Sequence, residues 1–113
     1  MVLYDEPIYV VIGDLMNEIK DKNKKYYAYM LRCSDNSIYS GYTTNVYKRE
    51  IVHNSGKGAK YTRARLPVKL VYFEEFDNKI DATKREWQFK QYTHKEKEII
   101  INNKKVGDIN GFI

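Results

Sequence analysis

The sequence predicts a single small α/β domain. Three observations predict it: a hairpin pattern over residues 26–42 that hands its chain to a helix, a third strand-like run at 68–76, and two helical stretches after that run. A chain of 113 residues is near the usual size of one domain. Eleven tyrosines and four phenylalanines supply enough apolar surface for a folded core rather than disorder.

The net charge of +5 is unevenly placed. Residues 1–25 carry four lysines against five acids, a net −1, so the remainder carries +6. A basic excess confined to one part of the chain fits a polyanionic partner. The lone Cys33 excludes an internal disulfide and a cysteine-rich zinc module. A reducing cytoplasm is then the expected location. No apolar run reaches membrane-spanning length and the start lacks a signal-peptide pattern, so no membrane association is expected.

Residues 1–25 read as an N-terminal extension. Ile8 to Ile12 is β-branched and aromatic, bounded by Pro7 and Gly13, and suits a strand or docking segment. Asp14 suits the cap of a helix reaching about Lys20, and 22–25 is a polar linker.

From Tyr26 to Cys33 the run is apolar on both faces, the pattern of a strand covered on both sides. Asp35-Asn36 tolerates left-handed dihedrals and suits the turn. The return strand spans 38–42. A three-residue loop at 34–36 pairs Cys33 with Ser37, Leu31 with Tyr39 and Tyr29 with Gly41, and puts Tyr29 and Tyr39 on one face. A two-residue loop puts them on opposite faces.

Thr44 or Asn45 can cap the next helix, which runs to about Asn54. Val46, Arg49, Val52 and His53 fall within a ~120° arc, with Arg49 stacked one turn from His53 on the side expected to face the sheet. An inward guanidinium needs an anion; the ordinary alternative is an arginine reaching out along an amphipathic helix. The stretch 55–65, SGKGAKYTRAR, is expected to be a mobile loop with four cations and no acid. Lys57, Lys60, Thr62, Arg63 and Arg65 suit a phosphate backbone, with Tyr61 as a stacking platform.

Pro67 precedes the third strand, 68–76, and Asn78 or Asp81 caps a helix to about Tyr92. Ile80, Ala82, Thr83, Trp87 and Phe89 mark a ~180° apolar arc with Glu86 and Lys90 in its middle. A carboxylate there needs a partner or a metal, and a Glu86–Lys90 pair is the simple alternative. Thr93 to Glu96 is a capping box for a last helix through Ile101, ended by Asn102-Asn103. Residues 102–113 form a tail.

Tyr27-Ala28-Tyr29, Tyr39-Ser40-Gly41, Arg49, His53, the SGKGAKYTR loop, the PVKLVYFEEF strand and the KREWQFK helix together resemble the GIY-YIG nuclease family, in its small single-domain bacterial branch. The resemblance covers 26–101. Alanine replaces the isoleucine of the first motif, and serine that of the second. It implies a three-stranded, mainly antiparallel sheet flanked by helices. It implies hydrolysis of DNA phosphodiesters with one divalent metal, Mg2+ or Mn2+, and a place in DNA repair or recombination. By the same resemblance Glu86 is the protein metal ligand and Tyr39 orients or deprotonates the attacking water. Tyr29 supports it, Arg49 grips the phosphate, and His53 contacts phosphate or carries a proton. Lys90 joins the loop cations as a DNA contact. Single-stranded or structured DNA is the expected partner, and no obligatory protein partner is evident. The alternative is an inactive nucleic-acid-binding module acting through the 57–65 loop.

Overall fold

A computed structural model describes residues 24–109, with side chains described through Asn103. The strand and helix expected between residues 8 and 20 lie outside the described residues. Strand β1 (Tyr26–Arg32) lies at the centre of a three-stranded sheet of order β2-β1-β3, between β2 (Ile38–Thr43) and β3 (Lys69–Phe76). Both pairings are antiparallel. Helix α1 (Val46–Asn54) and the short α2 (Lys60–Arg63) follow β2; α3 (Lys79–Gln91) and α4 (His94–Ile109) follow β3.

The central place of β1 explains its doubly apolar sequence. Ala28 and Met30 join Ile38, Phe89 and Ile101 in one buried cluster, and Tyr29 and Leu31 join Cys33, Val46 and Val68 in a second. Successive side chains of a strand point to opposite faces, so one strand serves two cores. Between Met30 and Leu31 the pairing with β3 is irregular. That extra residue brings both Val71 and Tyr72 to the first cluster, while Leu70 and Phe73 pack on the second.

The expected caps form. Asn45 accepts from the Lys48 amide at 3.0 Å, and Asn78 from the Asp81 amide at 2.8 Å. Thr93 and Glu96 exchange bonds of 3.2 and 2.8 Å at the start of α4. That helix does not stop at Asn102-Asn103 but continues to Ile109. Asparagine is a weak helix former, not a breaker, and no proline follows. Two arginine forks tie helices to sheet: Arg32 to Glu98 at 2.7 Å through both arms, and Arg85 to Glu74 at 2.9 and 3.1 Å.

Two further expectations change. The 55–65 stretch is not wholly loop, since α2 forms within it and buries Thr62. On α3, Ala82 and Phe89 are fully buried, but Ile80 and Trp87 are 67% and 64% exposed. The helix seats on the edge of the expected arc rather than its middle. Glu86 lies about 50° from the line through Ala82 and Phe89. Its carboxylate therefore sits on the shoulder of the packed stripe, half-buried, and is not sealed beneath it.

Candidate active site

The hairpin adopts the three-residue loop. The Cys33 amide donates to the Ser37 carbonyl at 2.8 Å, and Asn36 takes a positive φ of 70°. Asp35 accepts from the Ser37 amide at 3.0 Å and so fixes the turn. Leu31 pairs with Tyr39 and Tyr29 with Gly41, so both tyrosines share a face with ring centroids 6.5 Å apart. The glycine is a steric requirement: a Cβ at Gly41 would lie 2.4 Å from the Tyr29 hydroxyl oxygen. The phenol crosses its own cross-strand partner, which only a missing side chain permits.

That phenol ends in a buried hydrogen-bond chain. Tyr29 Oη lies 3.0 Å from His53 Nε2, and His53 Nδ1 lies 2.8 Å from Thr62 Oγ1. The Thr62 hydroxyl donates to the Ala59 carbonyl at 2.9 Å. A hydroxyl has one proton to give. Thr62 must therefore accept from His53 Nδ1–H, which leaves Nε2 as the acceptor for the Tyr29 hydroxyl. Burial, and then the nearby Arg49, hold the His53 pKa below its ordinary value, so the imidazole is neutral. Gly58 lets the loop close on the ring, since a Cβ there would lie 2.4 Å from Nδ1.

This arrangement corrects two assignments. Both His53 nitrogens are engaged and the residue is 2% exposed, so it is no phosphate contact in this conformation. Thr62 is fully buried and orients His53 instead of touching a DNA backbone. Nor do cations win at Tyr29. Burial raises its pKa first and Tyr39 adds to it; Arg49 opposes, and Glu86 raises it again. Tyr39 lies against Tyr29 with ring centroids 6.5 Å apart, and the charges of Arg49 and Glu86 are near enough to act on the same phenol.

Tyr39 is half-buried, with ring centroids 5.3 Å from His53 and 6.1 Å from Tyr61, the latter stacked at 25°. The Arg65 guanidinium lies 3.8 Å over the Tyr61 centroid. Tyr61 is thus engaged by two neighbours while remaining 40% exposed. Arg65 is also committed, to Asp35 at 3.0 Å and the Tyr61 carbonyl at 2.9 Å. Lys57, Lys60 and Arg63 are exposed and form no ion pair among the described residues. They remain the loop's outward cations.

Arg49 does not turn inward as expected. It is exposed, its Nε reaching the Thr43 hydroxyl at 3.4 Å on the rim of a cleft with Lys48 and Val52. Its fork forms no ion pair among the described residues. Glu86 pairs with Lys90 at 3.2 Å, and Lys90 is half exposed. Among the described residues no three His, Cys, Asp or Glu side chains cluster, so no all-protein metal cage exists. A lone carboxylate with room for water suits a hard divalent ion that keeps most of its hydration, and Glu86 fits that requirement once Lys90 moves aside.

Thr43, Gly58 and Thr62 as an imidazole-orienting residue carried no signal in the linear sequence, because each is defined by a tertiary contact. The comparisons agree with the motif reading. The chain is 57% identical over 72 residues to a UPF0213 protein of Pediococcus pentosaceus, covering 64% of this chain and 76% of that one. It is 54% identical over 80 residues to UPF0213 protein YsiG of Lactococcus lactis, covering 70% and 77%. A solution NMR structure of a protein from E. faecalis superposes with a TM-score of 0.51 at 42% identity, over 75% of this chain and 91% of that one. Residues 25–99 match the GIY-YIG catalytic domain model, two-thirds of the chain including both tyrosines, Arg49, His53 and Glu86, and on that match the chain belongs to the GIY-YIG catalytic domain family.

Proposed function

We propose that the protein is a divalent-metal-dependent endonuclease acting on single-stranded or structured DNA. The observation that carries this reading is the convergence on Tyr29. Its phenol is hydrogen-bonded to a neutral imidazole and lies within electrostatic reach of Tyr39, Arg49 and Glu86. Hydrolysis of a phosphodiester needs a proton acceptor for water, a cation for the phosphate and an anchor for metal, and these groups supply all three.

Of the two phenols, Tyr29 is the one bonded to a base. Tyr39, open to the cleft, orients the attacking water. Tyr39 also takes the water's proton, while Tyr29, buried and donating to His53 Nε2, supports it from beneath. As the water oxygen adds to phosphorus the bond to the leaving oxygen breaks, and that oxygen takes a proton from solvent. Arg49 turns its fork to two phosphate oxygens. Glu86 would hold the divalent ion, which would supply neutralisation of the charge that builds on the phosphate. Lys57, Lys60 and Arg63 add sequence-independent attraction to the strand.

A cleavage panel of single-stranded, duplex and branched DNA, with and without magnesium or manganese, tests the reading. Wild-type protein is expected to nick at least one substrate only with metal. Glu86→Ala and Tyr39→Phe are expected to remove cleavage while the melting temperature and DNA affinity stay near wild type. Salt-dependent binding without any metal-dependent nicking would identify a binding module instead.

A further inference from the structure

A second feature lies around the outer edge of β2. A cleft of about 260 Å³ opens there, lined by Ile38, Tyr39, Ser40, Tyr61, Lys90 and Lys97. Lys97 comes from α4, is half-buried, and its Nζ reaches the Ile38 carbonyl at 3.3 Å. Two acids on the flanking helices are already taken. Glu98 is held by Arg32 and by His94, and Glu86 by Lys90. Burial, and then Lys90, hold the Lys97 pKa below its ordinary value. Among the described residues no acid pairs with Lys97, so a cation is held partly withdrawn from water, a condition with a cost that a ligand would relieve.

Ser40 is the independent observation. It is 3% exposed, and its Oγ is the one buried side-chain oxygen or nitrogen among the described residues with no hydrogen-bond partner. It stands where the motif has isoleucine, and an apolar side chain would leave no such orphan. Buried hydroxyls are nearly always paired. Two ammonium groups, one on Glu86 and one on a backbone carbonyl, thus stand in the lining beside one unpaired hydroxyl.

We propose that this cleft binds a phosphate group of the nucleic-acid strand, next to the phosphate at Tyr39, through Lys97, Lys90 and the Ser40 hydroxyl. The placement beside a scissile phosphate rests on the nuclease reading; the binding itself needs no cleavage. Lys90 is shared between the two sites. As it turns to the phosphate it leaves Glu86, so occupation of this cleft frees the carboxylate for a divalent ion.

The test is a binding titration in metal-free buffer. Short single-stranded oligonucleotides, with and without a terminal phosphate, are titrated against wild type, Lys97→Met, Lys97→Arg and Ser40→Ala. Lys97→Met is expected to weaken affinity about tenfold and to lower the log–log salt slope by about one. Ser40→Ala is expected to weaken it several-fold with the slope unchanged, and Lys97→Arg to restore most of the loss. If only terminally phosphorylated strands feel Lys97→Met, the ligand is a phosphate monoester; if both do, it is an internal diester. In wild type, the Lys97 side-chain NMR resonances are expected to shift on titration, which keeps the test valid should Lys97→Met not fold. Unshifted Lys97 resonances, or a folded Lys97→Met protein with wild-type affinity and slope, would overturn the proposal. A strand held this way but never cut would leave the subsite standing and remove the nuclease reading.

Discussion

On one face of β1, Ala28 and Met30 lie in hydrocarbon with Phe89 and Ile101. One residue along, on the opposite face, Tyr29 sends a hydroxyl through an imidazole to a threonine and then to a backbone carbonyl. Both faces are buried to a similar degree, yet the cluster on the first is apolar and the second carries an ordered polar chain. The apolar cluster asks for volume, and substitution there is felt as lost burial. The polar face asks for one set of donors and acceptors, and substitution there is felt as a changed proton position.

Tyr29→Phe should separate the faces most sharply. It keeps the ring and removes the proton donor, so cleavage is expected to fall by roughly 10²–10⁴, while stability changes by only about 1 kcal/mol. Single-turnover cleavage and chemical denaturation read the two quantities; equal losses in both would erase the distinction. Phe89→Ala is the converse. It is expected to cost roughly 3–5 kcal/mol of stability and to leave the rate per folded molecule unchanged when measured below the lowered melting temperature. The smallest effect is pH-dependent. Because the folded His53 pKa is depressed, the unfolded chain takes up a proton that the folded chain refuses. The stability contribution is full above about pH 6.5 and is lost as pH falls through the folded value. Melting temperature followed across that window should decline more steeply in wild type than in His53→Gln.

The contrast also explains what the sequence made legible. Parity left two hairpin registers, of which only the three-residue loop puts Tyr29 and Tyr39 on one face, and the chain has that loop. The doubly apolar run marked β1 as a strand covered on both faces, and each face does pack on its own cluster. Helix starts were readable to within a residue or a few because a cap acts on an amide three residues on, as Asn45, Asn78 and Thr93 do. Distant geometry was not readable. Trp87 looks like core on a helical wheel, but α3 seats through Ala82 and Phe89 and leaves it outside. Thr62 and Arg65 looked like surface contacts for DNA in a basic loop, yet α2 buries one under His53 and binds the other to the hairpin turn through Asp35. Arg49 was placed by its wheel angle and is drawn aside by the Thr43 hydroxyl.

The bond from Thr62 to the Ala59 carbonyl closes the inner end of the imidazole's chain. A peptide carbonyl cannot pass a proton onward, so the route inward from Tyr29 is a cul-de-sac. Whatever proton His53 receives is parked, and it must leave through the same phenol by which it arrived. Proton exchange at this imidazole is therefore governed by Tyr29 alone.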